Sequence, residues 1–189
     1  MNILTDNLPS SVKVGNSIID IETDFRAGIS FALMAEEGEE DIYKLFAPFF
    51  PRGFPANIVE AVEAVLYFYR AGEKPDENAP KTNKRVYSFK IDSESIYADF
   101  WRFYGVDLSQ DCLHWWTFRS LLFGLPEDSN FKQRIYYRTC DVKGLPKKEQ
   151  KRILTIRKQI EIKTTEKGGK ITLEERNNQM RDYVLKRCK

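Results

Sequence analysis

The sequence predicts a mainly α protein: a compact multi-helix bundle with a small β-hairpin near the N-terminus and a basic helical C-terminal tail. Three observations predict it. Apolar residues recur at three- and four-residue spacing along most of the chain, for about seven or eight helices. Strict alternation is confined to residues 11–21, with one more short stretch near 86–91. The stretch from Asp111 to Ser129 is apolar on so many sides that it reads as a buried helix with neighbours all round.

In chain order, Val12 and Val14, the dipeptide Gly15-Asn16, then Ile19 and Ile21 predict the hairpin. From Thr23 the period becomes helical, with Phe25, Ile29, Ala32 and Leu33 on one face. Glu39, Glu40 and Asp41 place acids in the first turn of a short helix that Pro51 closes. Pro55 opens the next, whose face is Ile58, Val62, Val65, Leu66 and Tyr69, with Ala71-Gly72 as terminator. Gly72–Lys84 is a polar loop with two prolines. Tyr87, Phe89 and Ile91 suggest an extended segment that pairs with the hairpin. Asp92 or Ser93 caps a helix with Ile96, Phe100, Phe103 and Tyr104 on its face.

The central helix follows. Ser109 or Asp111 caps it, Gly124 and Pro126 stop it, and Trp115, Phe118 and Leu122 share a face. Ser129 or Asn130 caps another helix carrying Phe131, Ile135 and Tyr136. Pro146 then starts a basic helix with Lys147, Lys148, Lys151, Arg152, Arg157 and Lys158. Thr172 and Glu175 make a capping box for a last helix.

A chain of 189 residues, 42% hydrophobic, has the size of one domain, or of one domain with an appendage. The expected division is a helical body at 1–160 and a basic tail at 161–189. No stretch approaches the roughly 20 apolar residues of a membrane span, and no secretory signal opens the chain. The expectation is a cytoplasmic protein without a membrane partner. Cys112, Cys140 and Cys188 form no Cys-x-x-Cys pair, and His114 is the single histidine. Reduced, mostly buried thiols, no metal and no cofactor are expected.

The net charge of +2 hides an asymmetry. Residues 1–50 hold nine acids against Lys13, Arg26 and Lys44. From Lys143 onward there are 15 Lys/Arg against six Asp/Glu. Such halves can attract one another between copies. Nucleic-acid binding is the weaker reading of the basic end, because Glu149, Glu161, Glu174 and Glu175 interrupt it and no aromatics precede Tyr183. The seam Ile153, Ile156, Ile160, then Leu173, Met180 and Val184 is narrow. With its charged flanks it marks a docking segment, loosely held in a monomer and ordered on an acidic surface.

Catalytic readings are thin. Asp111 and His114 are spaced to share a helix face and orient a general base, but no nucleophile motif accompanies them, so a structural histidine is expected. Trp115 and Trp116 can stack on bases; on a helix this apolar they are expected in the core, with one ring as a possible contact surface. No phosphate loop is present. A non-enzyme is expected.

Three blocks carry a resemblance. One is Ile21–Arg26, with Asp24, Phe25 and Arg26. The second is Tyr87–Asp92, Ile96, Tyr97 and Phe100, and Tyr104–Leu108. The third is Leu113-His114-Trp115-Trp116-x-Phe118-Arg119, then Leu121-Leu122, Gly124-Leu125-Pro126-Glu127-Asp128, Tyr137-Arg138 and Leu145–Lys148. Over residues 18–160 they resemble the bacteriophage gene-product-fifteen family of tailed-phage and prophage proteins. The resemblance implies a tail-module protein similar to tail assembly chaperones, which coat the tape measure protein and recruit tail tube protein in the host bacterial cytoplasm. It implies no catalytic residues. Self-association into a ring or spiral is the expected way to repeat along a long target. A structural virion protein of the tail or head–tail connector, and a nucleic-acid-binding regulator, are the rival readings.

Overall fold

A computed structural model describes residues 2–74 and 85–162. Among these it has one hairpin and seven α-helices. The residues cluster into two compact units, one of residues 2–74 with Cys112–Arg119, the other of 85–111 with 120–162. The expected boundary near residue 160 falls at the edge of the described residues, and the expected basic tail beyond it lies outside them.

In the first unit, β1 (Ser11–Val14) pairs antiparallel with β2 (Ser17–Asp20), Val12 opposite Ile19. Gly15 turns the chain at φ +60°, where a side chain would be strained. Its N–H donates to the Glu60 carboxylate, which ties the turn to α3 (Ile58–Tyr69). Helix α1 (Phe25–Glu37) is capped by Asp24, whose carboxylate accepts from the Arg26 N–H. It ends at Gly38 in the left-handed conformation. Its buried face is Phe25, Ala27, Gly28, Phe31, Ala32 and Ala35. Phe31 thus replaces Ile29 and Leu33 in the expected stripe, a rotation of about a quarter turn that the small residues at 27, 28 and 35 permit. Helix α2 (Ile42–Phe46) is capped by Asp41 and runs into a 3-10 turn, Ala47–Phe49. The cap of α3 is Asn57, accepting from Glu60 N–H, so Pro55 lies ahead of the helix rather than in its first turn.

In the second unit, α4 (Ser93–Tyr104) ends at Gly105 in the left-handed conformation. Helix α6 (Asn130–Thr139) is capped by Ser129. Helix α7 (Lys147–Gln159) starts after Pro146 and packs on α6. Residues 85–91 form no strand; the sheet has only β1 and β2 among the described residues. Phe89 is buried, and Tyr87 lies edge-on to Phe89, Phe123 and Phe131. The alternation there reflects ring packing, not a ladder.

Helix α5 (Trp115–Phe123) begins in the first unit and ends in the second. It starts later than the sequence predicts. His114 is still extended and forms an antiparallel bridge with Asp24. Phe25 N–H donates to Leu113 C=O at 2.9 Å and Trp115 N–H to Thr23 C=O at 2.7 Å. The pairing claims backbone that a helix from Asp111 would need.

Candidate functional site

The Leu113–Phe118 block and the Asp24–Arg26 block meet in the first unit through that bridge. His114 acts as the cap of α5: its Nδ1 accepts from Trp116 N–H at 3.1 Å. Its Nε2 lies 3.0 Å from the Pro9 carbonyl, an acceptor, so Nε2 is the donor nitrogen and Nδ1 supplies the lone pair that accepts from Trp116. This replaces Ser109 or Asp111 as the expected cap. It also removes the Asp111–His114 pair as a general-base arrangement, since the Asp111 carboxylate accepts instead from Asp107 N–H at 2.8 Å.

Both indoles of the Trp pair are buried, at 2% and 7% exposure, which places them in the core and leaves neither ring as an exposed contact surface. Each is also a hydrogen-bond donor. Trp115 Nε1–H reaches Tyr69 C=O at 2.8 Å and Trp116 Nε1–H reaches Phe68 C=O at 2.7 Å. Arg119 adds a 3.2 Å bond to Tyr69 C=O. The last turn of α3 has carbonyls without helical partners, and these three donors satisfy them. The chain then leaves through Ala71 at φ +58° and Gly72 at φ +78°.

Around Trp115 the rings form a column. Tyr69 stacks on Trp115 at 4.9 Å, Trp115 on Phe118 at 5.8 Å, and Phe118 on Phe25 at 4.8 Å. Gly28 lets α1 approach this column. A Cβ there would lie 2.4 Å from the indole. Arg26 lies over the Phe25 ring at 4.6 Å and pairs with Asp24 at 3.0 Å. The block is therefore a packing and capping device.

The second unit is organised by two aspartates with no exposed surface. Asp92 receives Arg138 at 2.6 and 2.8 Å, Arg134 at 2.8 Å and the Ser88 N–H at 3.0 Å. Burial alone would raise its pKa. The Arg138 and Ser88 hydrogen bonds and the charges of Arg138 and Arg134 outweigh that and hold it below the ordinary carboxylate value. Arg138 also donates to Val86 and Ile160 carbonyls at 3.1 and 2.8 Å. Asp99 accepts from Asn130 N–H, Asn130 Nδ2 and Phe131 N–H at 3.1, 2.8 and 2.7 Å, and so supplies a second cap for α6. Sequence reading took Asp92 only as a helix cap and overlooked Asp99. The signals present were an acid on the apolar face of α4, beside Ile96 and Phe100, and Arg134 and Arg138 one turn apart on α6.

Gly124 N–H closes α5 on Ser120 C=O at 2.9 Å, and Tyr104 Oη–H donates to Leu121 C=O at 2.8 Å. Burial raises the Tyr104 pKa. Leu125 is buried, while Pro126 is exposed and its carbonyl accepts from Ser129 N–H at 2.9 Å.

The basic candidates divide by face. On α7, Ile153 is buried, Ile156 and Ile160 are half-buried, and Arg157 donates to Tyr137 and Cys140 carbonyls at 2.8 and 2.7 Å. These residues hold α7 to α6, so the first part of the expected loose segment is packed within its own unit. Lys147, Lys148, Lys151 and Arg152 are exposed. Met180 and Val184 lie outside the described residues.

Among the described residues no three of His, Cys, Asp and Glu are grouped to hold a metal ion, and no helix is long and apolar enough to cross a membrane. Fold and motif together define a mainly helical protein whose most distinctive residues serve packing and helix capping. The chain belongs to the bacteriophage Gp15 protein family, whose model matches residues 4–178. It is thus a phage protein of the structural or assembly-related class. No curated protein and no solved structure matches it.

Proposed function

We propose that this protein is a non-catalytic tail assembly chaperone that binds the tape measure protein and recruits tail tube subunits in the host bacterial cytoplasm. Family membership over residues 4–178 carries the reading. The disposition of side chains is compatible with it. The Trp-Trp block is committed to packing, while Tyr97 and Trp101, one turn apart on α4, are 41% and 57% exposed and available for docking. A protein that keeps a long helix soluble needs such apolar docking positions on a stable body.

Two measurements test the proposal. Co-expression with the tape measure protein of the same phage is expected to keep that protein soluble and to co-purify the pair. Mass spectrometry of purified particles is expected to find this chain absent or scarce. A fixed copy number in particles would instead make it a structural virion protein of the tail or head–tail connector. Failure to co-purify, with DNA or RNA affinity that falls steeply with salt, would favour the regulator.

A further inference from the structure

We propose that the outward face of α7 is a self-association surface whose occupant is the acidic α1–α2 corner of a second copy of this chain. The inference stands apart from the chaperone reading, because it needs no phage partner.

The two faces of α7 differ in kind. Ile153 and Arg157 hold the inner face to the unit. Lys147, Lys151, Leu154, Thr155 and Lys158 follow one another at helical spacing along the outer face, over about 16 Å at 1.5 Å per residue. They line a shallow, open concavity with Leu154 at its middle, 48% exposed. A lone exposed leucine is ordinary, but this one sits between three lysines. Among the described residues none of those lysines is in an ion pair. Within α7 six bases face one acid, Glu149.

The chain itself carries the complement. After Gly38 turns at φ +92°, Glu39, Glu40 and Asp41 follow within one turn. The Glu39 carboxylate folds onto the N–H groups of Glu40 and Asp41 at 3.1 and 2.9 Å, and Asp41 caps α2. The corner is thereby ordered, with Glu37 and Glu40 exposed. Beside it Tyr43 is 58% exposed, edge-on to Phe54 at 5.1 Å. One surface sets an exposed apolar side chain among lysines; the other sets an exposed ring next to an acidic corner, with Lys44 the one base beside it on α2. Opposite charge steers the encounter, and apolar contact of Leu154 with Tyr43 adds the short-range part. Since the two surfaces are different, the contact is heterologous and repeats from copy to copy as a ring or an open spiral.

Sedimentation velocity of the full chain over a range of concentrations tests this. At an ionic strength of about 0.01 M, where the Debye length is about 30 Å, assembly is expected to grow with concentration. At about 1 M, with a Debye length of about 3 Å, it is expected to weaken. Lys151→Glu with Lys158→Glu, and separately Glu37→Lys with Glu40→Lys, should each weaken association by about tenfold or more. The chain carrying all four changes should recover most of it, because the charges are exchanged. Circular dichroism of every variant separates lost assembly from lost folding. Wild-type protein that stays monomeric at low salt overturns the proposal. So does a fourfold variant that folds and associates no better than the two pairs.

Discussion

The two units are stabilised by different physics. In the first, a column of stacked rings is completed by two indole N–H groups that cap a helix end. Its polar groups are secondary to its apolar area. In the second, helix ends are set by two fully buried carboxylates, one gripped by two arginines and the other by three N–H donors. The ring column is held by apolar contact and close fit, whereas the ionic cluster depends on the charge of Asp92. Its charges were costly to desolvate, so it is stable only while every partner is present.

The largest expected effects come from removing the centre of each. Trp115→Ala deletes the middle of the column and the helix-end bond to Tyr69 C=O, and should cost about 3–5 kcal/mol. Asp92→Ala strands the buried Arg138 guanidinium and should cost a similar amount, about 3–5 kcal/mol. Urea unfolding followed by circular dichroism measures both. The contrast lies in the rescue. Asp92→Leu combined with Arg138→Met should recover much of the loss, because both charges are gone. No single second change should restore Trp115→Ala. A double variant as unstable as Asp92→Ala would break the distinction.

Overpacking is next. Gly28→Ala forces a methyl group to 2.4 Å from the Trp115 ring, so helix or indole must shift. About 1–3 kcal/mol is expected. The emission of Trp115 and Trp116, read in a Trp101→Phe background, should shift to the red as the column loosens. An unchanged spectrum and midpoint would mean that the helix moves freely.

The acid limb of stability separates the units by pH. The Asp92 pKa is depressed in the folded state, so its contribution is fully present above the ordinary aspartate value near 3.9. It is lost as pH falls through the lower folded-state value. Asp92→Asn should therefore flatten the fall in stability below about pH 4, after allowing for its lower stability at neutral pH. Phe118→Leu, a change in the column, should leave the slope of that limb unaltered. Equal slopes for wild type and Asp92→Asn would remove Asp92 as the cause.

The smallest effect is expected at the cap. His114→Ala loses the Trp116 N–H acceptor and the Pro9 contact, and should cost about 1 kcal/mol. His114→Asn should recover part of that, since a short amide oxygen can accept the same N–H. A loss as large as that of Trp115→Ala would show that the histidine does more than cap α5.

Much of the site was legible because its parts are local. The Trp pair was placed in the core from the apolar character of its own helix, and the buried face Trp115, Phe118 and Leu122 followed from spacing alone. The basic helix was visible from Pro146 and its lysines. The docked inner face of α7 was not, because Arg157 counts as a surface cation in any linear reading. Its carbonyl partners, Tyr137 and Cys140, lie on another element.

By itself the sequence determined the hairpin, the order of the described helices and most of their stop signals. These follow from residues within a few positions of one another, through period, cap and turn preference. Only the tertiary structure decided which partner each buried polar group would have. Trp115 and Trp116 reach carbonyls 46 and 48 residues away, and Asp99 reaches N–H groups 31 and 32 residues away. His114 became a cap, and α5 was shortened, because Asp24 offered its backbone an antiparallel bridge. A local period cannot encode such pairings. They arise when burial withdraws water from donors and acceptors that meet only in the folded chain, and each must then find a partner among whatever elements the packing has brought near.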